Sequence, residues 1–197
     1  MTMKKRRKPI TAQELIEQIA ADPELLAKLR DQENYHQEKA AEYSAEERPV
    51  VEKIRAAGVN VDSVWDLVNT DVPYPSALPI LVSELESGQY SDRLREGIAR
   101  ALAVKPAVRY WTTLKGLLKS ARGPDESAGL AAAVVACAHE EHVDELIEMI
   151  NDKTLGDNRI LFIGPVATLG GKRGREAVRD AARRDPVLRQ EARSALD

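Results

Sequence analysis

From residue 75 onward, apolar residues return in pairs four positions apart: Leu81 with Leu85, Leu114 with Leu118, Leu146 with Ile150, and Val178 with Ala182. Spacing of four places both members on one face of an α-helix. The first members are separated by 33, 32 and 32 residues, so the pattern is an internal repeat. Each pair predicts a first helix, and each is followed by a turn and a second segment richer in small residues. Those second helices are expected at 92–104, about 125–138, about 159–169 and about 186–196. A period of about 30 residues with two helices per unit predicts stacked hairpins, because one hairpin cannot bury its apolar stripe alone.

The stretch "DRLREGIARALAV" at 92–104 shows what such a second helix must contain. Leu94, Ile98 and Leu102 form the buried stripe, while Gly97, Ala99 and Ala101 let a neighbouring helix approach closely. A helical glycine costs about 1 kcal/mol relative to alanine, so close packing is the better reason for Gly97, and for Gly129 and Gly164 downstream. Pro165 should bend or break the third second helix, at a cost of about 3 kcal/mol for an interior proline.

Upstream the pattern is less regular. Thr11 to Glu14 spells T-x-x-E, a capping box, and Leu15, Ile16 and Ile19 follow at helical spacing, predicting a helix over 12–21. Asp22-Pro23-Glu24 restarts the chain with an N-cap and a first-turn proline, ahead of Leu25, Leu26 and Leu29. Residues 30–47 are mostly polar, which fits a solvated helix or a mobile connector. Ser44 to Glu47 offers another capping box, opening a short helix with Val50, Val51 and Ile54 inward and Gly58 as its stop. Val61, Val64, Trp65 and Val68 complete the apolar positions, with Trp65 a core anchor. The chain is therefore divided into a flexible basic terminus (1–10), an N-terminal helical cap or extension (11–74) and a repeat domain (75–197).

Composition agrees with helices packed through small side chains. Hydrophobic residues make up 43% and aromatics only 4% of 197 residues, which argues against a β-sandwich. Charged residues reach 31%, yet the net charge is −3, so no global field demands a nucleic acid or a membrane. Cys137 is the only cysteine; it sits in an apolar run and reads as a buried, reduced thiol. "KKRRK" at 4–8 lacks the apolar core of a secretory signal, and no stretch is long and apolar enough to span a membrane. A soluble cytoplasmic protein is expected.

The hairpins "ALPILVSELESGQYSDRLREGIARALAV", "HVDELIEMINDKTLGDNRILFIGPVATLG" and "GREAVRDAARRDPVLRQEARSAL" resemble the HEAT-repeat superfamily, in particular the short bacterial repeats related to phycobilisome lyases. Asp185-Pro186-Val187-Leu188-Arg189 resembles the D-x-x-V-R entry into the second helix, and Leu94-Arg95 occupies a corresponding place. "PDESAGLAAAVVACA" has no matching arginine, and the third unit displaces its arginine to position 159. The resemblance spans about residues 75–197 and implies an all-α, right-handed α-solenoid of about four hairpins. Such solenoids usually line their concave side with second helices and serve mostly as binding scaffolds.

The chemistry of single motifs is sparse. His139 and His142 are three apart amid Glu140, Glu141, Asp144 and Glu145, which does not match H-E-x-x-H, and the acids suit a helix start. "GGKRGR" at 170–175 lacks phosphate-loop spacing and reads as a turn. No metal, cofactor or catalytic grouping is expected. Lys172, Arg175, Arg179 and Arg183 recur at 3, 4 and 4 and share a helix face, forming a strip for an anionic partner or, with Glu176 and Asp180, a salt-bridged solvated face. On the concave side the candidate partner contacts are Arg93, Glu96, Arg100, Arg159, Arg189 and Arg193. For Arg189, pairing with a neighbouring repeat's aspartate is an equal alternative. Residues 138–158 carry a local charge of −6 and residues 172–197 one of +3, a dipolar arrangement suited to steering a protein partner or to head-to-tail association.

These features lead to a non-enzymatic scaffold or adaptor that binds another protein through a solenoid surface. The alternative is a nucleic-acid-binding or DNA-base-processing protein, which would need a basic groove with aromatic stacking platforms. A lyase-like or chaperone-like role on a tetrapyrrole protein follows only from the resemblance.

Overall fold

The computed structural model describes Thr11, Gln13 and residues 21–197. The basic stretch at 1–10 and the expected helix over 12–21 therefore lie outside the described residues, those two positions apart. Among the described residues the fold is all-α, with no strand, and no helix is long and apolar enough to cross a membrane. The chain divides into two units, Met1–Ala45 and Glu46–Asp197.

Helix α1 is Pro23–Ala56 and contributes to both units. Its start follows the expectation: Asp22 Oδ1 accepts the N–H groups of Glu24 and Leu25, each at 3.1 Å, with Pro23 at the first helical position. The polar segment 30–47 is helical throughout, supported by local pairs such as Gln37 to Glu33 at 2.9 Å and Lys39 to Glu42 at 2.5 Å. No new helix opens at Ser44. The expected capping residue Glu47 works elsewhere, accepting the Ser63 hydroxyl at 2.8 Å and the Val64 N–H at 3.1 Å, so it caps the start of α2 (Trp65–Val68). Val50, Val51 and Ile54 are buried, and the chain turns at Gly58, where φ is 86°, a conformation open to glycine at no steric cost.

The second unit continues with α3 (Leu78–Ser87) and α4 (Asp92–Ala101), then a 3-10 segment Lys105–Tyr110 leading into α5 (Trp111–Lys119) and α6 (Pro124–Cys137). After the 3-10 turn Glu140–His142 come α7 (Val143–Asn151), a 3-10 stretch Lys153–Phe162 and α8 (Ile163–Leu169). Helix α9 (Gly171–Arg184), the 3-10 turn Pro186–Leu188 and α10 (Arg189–Leu196) follow. Helix α4 packs along α6, α6 against Lys153–Phe162, and α8 against α10, while α7 meets α9. Every member of the four apolar pairs is buried except Ala182, which is half-buried.

Small residues decide how closely these helices meet. A Cβ on Gly129 would stand 2.8 Å from the Glu96 carbonyl oxygen, and one on Gly174 only 2.0 Å from that of Val166. A Cβ on Gly97 would stand 3.0 Å from the Trp65 ring, so Trp65 packs on that helix, but it is half-buried and not the core anchor its spacing predicts. Gly164 differs: a Cβ there would meet nothing within 4 Å, and close packing does not explain it. The third hairpin is irregular as Pro165 implies. Its second arm is 3-10 through Phe162, broken at Gly156 (φ 55°), and becomes α-helical only at Ile163, with the proline in the first turn.

One buried polar side chain ties the first elements of this unit together. Glu84 is 5% exposed; it accepts from Lys53 of α1 at 2.6 Å and from the Tyr90 hydroxyl. Burial first, then that carboxylate, pushes the Tyr90 phenol up to about 12. Cys137 is fully buried, and burial lifts its thiol to about 11, so it is held as an unreactive thiol.

Candidate functional site

Helices α9 and α10 each carry arginines one turn apart on the side away from their buried stripes. On α9 these are Arg179 and Arg183, with Val178 and Ala181 turned inward; on α10 they are Arg189 and Arg193, with Ala192 inward and Leu188 of the preceding 3-10 turn buried. The four line an open groove of about 550 Å³ together with Ala182, Ala192, Leu196 and Asp197. Arg189 Nε donates to the Ala182 carbonyl at 3.2 Å, which fixes that side chain across the groove. Arg183 pairs with Asp180 at 3.0 Å, both largely in solvent; such a pair is weak and leaves the guanidinium available. Among the described residues, Arg179 and Arg193 have no ion pair. Four cations against one lining carboxylate make the groove an anion-attracting surface.

The groove joins halves of two separately expected sets. From the anionic-partner strip it takes Arg179 and Arg183. Lys172 lies outside the groove, and Arg175 donates to the Leu196 carbonyl, holding α10 against α9. From the partner-contact set the groove takes Arg189 and Arg193. Glu96 and Arg100 pair with each other at 2.7 Å along α4, and Arg93 is exposed on the same helix. Arg159 is the clear departure from a partner contact. It is 6% exposed and donates to Asp185 at 2.9 Å and to the Gly156 carbonyl at 2.8 Å, so it joins the third hairpin to the fourth. Hydrogen bonds from Arg159 and then from the Val187 N–H hold the Asp185 carboxyl below the usual range.

A second junction of this kind escaped sequence reasoning. Arg95 of α4 pairs with Glu126 of α6 at 2.5 Å, with side-chain exposures of 4% and 1%. Asp92 accepts the N–H groups of Asp125 and Glu126 at 3.1 and 2.8 Å, so an aspartate of one hairpin caps the second helix of the next. Arg122 closes the other side through the Gly88 carbonyl at 2.8 Å. The missing arginine of the second unit was the signal: Ser127 stands at its place, four residues after the Gly123 cap, and the neighbouring Glu126 receives the arginine from the first.

The histidine motif is absorbed by packing. His142 stacks on Trp111 at a centroid distance of 3.8 Å, and its Nδ1 accepts the His139 N–H at 3.0 Å. Burial lowers its pKa, against an opposing pull from Glu141. Trp111 Nε1 donates to Glu145 at 3.1 Å, and Lys115 pairs with the same carboxylate. No group of three or more metal-ligating side chains occurs among the described residues.

Comparison with known proteins finds no matching family model, no matching curated protein and no matching solved structure.

Proposed function

We propose that this chain is a non-enzymatic interaction protein, a HEAT-like right-handed α-solenoid that binds an anionic macromolecule, a protein, through the α9–α10 arginine groove. The observation that carries this reading is the convergence of Arg179, Arg183, Arg189 and Arg193 on one groove with Ala182, Ala192 and Leu196 among its lining. The helix-on-helix succession of α4 with α6 and α8 with α10 supports the solenoid. Burial of Cys137 and commitment of His142 Nδ1 to a backbone N–H leave both poorly placed as nucleophile or base.

The test is affinity capture from the native host on the wild-type chain and on a variant with all four arginines changed to alanine, with circular dichroism confirming equal helicity. Partners retained by the wild type should be lost from the variant. Equal capture by both would overturn the groove assignment. Nuclease treatment of the captured material separates a protein partner from a nucleic acid, the latter being the competing class.

A further inference from the structure

Resting on that reading, we infer that the groove takes the acidic first turn of a helix belonging to a protein partner. The argument comes from how the chain joins its own hairpins. At two junctions an arginine near the start of one hairpin's second arm meets an acid at the start of the next hairpin's second arm. Arg95 reaches Glu126 at 2.5 Å, and Arg159 reaches Asp185 at 2.9 Å. Arg189 stands at the equivalent place in the fourth hairpin. It is the fourth residue after the Asp185 cap, as Arg95 is the fourth after the Ser91 cap. No acidic helix start lies against Arg189 among the described residues; its guanidinium donates to the Ala182 carbonyl.

The surroundings of Arg189 fit the same kind of occupant. The alanines of the lining, half-buried Ala182 and buried Ala192, add little bulk between the arginines, as Gly129 keeps α6 close to the backbone of α4, which suits the approach of a helix. Leu196 adds an apolar contact, and Arg193, one turn beyond Arg189, extends the cationic row. Carboxylates in a helix's first turn are already favoured by the helix dipole, and arginine engages them with two parallel donors. The lining contains no aromatic side chain, and aromatic faces are what single-stranded nucleic acid uses for stacking. An acidic helix therefore matches both the charge and the small apolar lining, whereas a polynucleotide matches the charge alone.

The experiment uses the full chain and fluorescein-labelled synthetic peptides read by anisotropy. One peptide is an alanine- and leucine-based helix with Asp and Glu in its first two turns; the second has Asn and Gln at those positions; the third has Lys. The acidic peptide should bind at least tenfold more tightly than its amide counterpart. R189E/R193E should abolish that binding, and K172E, outside the groove, should leave it intact. The lysine peptide should bind R189E/R193E and not the wild type, a rescue that a misfolded variant could not produce. Equal binding of acidic and amide peptides, or insensitivity to R189E/R193E, overturns the inference. A labelled oligothymidine bound through the groove while the acidic peptide is not also overturns it, yet leaves the groove as a binding site. Self-association in sedimentation equilibrium that R189E/R193E removes would make a second copy the occupant and equally overturn it.

Discussion

The α4–α6 junction and the α9–α10 groove are built from the same side chains with opposite outcomes. At the first, Arg95 lies almost wholly out of solvent against Glu126, and Asp92 caps α6. At the second, Arg189 occupies the matching helical position but points its charge into an open groove beside Arg193. An arginine at the start of a second helix is thus a stacking device where an acid-led helix follows, and it lines an open groove where none covers it. Identity does not separate the two roles; the neighbouring helix does.

The largest expected effect breaks the closed junction. E126Q leaves the Arg95 charge buried, and two of its nitrogens, Nε and Nη1, already lack a hydrogen-bond partner. The expected loss is about 3–5 kcal/mol in urea unfolding, the usual cost of removing one member of a buried pair. R189A, in the open groove, should stay within about 0.5 kcal/mol of the wild type. Similar losses for both variants would erase the distinction between junction and groove.

Next in size is the helix contact itself. G174A forces a methyl toward the Val166 carbonyl oxygen, 2.0 Å from the ideal Cβ position, and should cost about 1–3 kcal/mol through overpacking. G164A has open space around it and should be neutral or stabilising by up to about 1 kcal/mol. Thermal unfolding of the two variants decides between packing and propensity as the reason for each glycine.

Acid sharpens the comparison at the third junction. Because the Asp185 pKa is lowered in the folded chain by Arg159, its contribution is complete above the ordinary carboxylate pKa of about 3.9. It disappears as pH falls through the lower folded value. R159Q should therefore flatten the stability profile in this acid range, measured by denaturant midpoints from pH 5 downward. An unchanged acid limb would mean that Asp185 is not controlled by Arg159.

The smallest effect comes from His142, whose pKa is lowered mainly by burial. The unfolded chain then takes up a proton before the folded one does, so stability should decline as pH falls below about 6.5. H142Q should remove that decline. A decline that persists in the variant would assign it to another group.

Much of the helical layout is legible without coordinates. The pairs Leu81/Leu85, Leu114/Leu118 and Leu146/Ile150 locate three buried faces, Asp22-Pro23 marks the start of α1, and Pro165 marks the irregular arm. These are local signals, set by the 3.6-residue turn and by backbone donors. Ser44 to Glu47 misleads for the same reason: Glu47 answers to Ser63 and Val64, and its pattern cannot show that. The groove was half visible. Arg179 and Arg183 share a helix face, as do Arg189 and Arg193, yet nothing in either spacing brings the two faces together.

The sequence by itself determined where helices form and which stripe of each turns inward, because propensity, caps and periodicity act over a few residues. Tertiary structure alone decided that Arg159 would be buried on Asp185 while Arg189 would face an open groove. The physical reason is that a charged side chain's role depends on what covers it, and the covering helix is some thirty residues away along the chain at this repeat length.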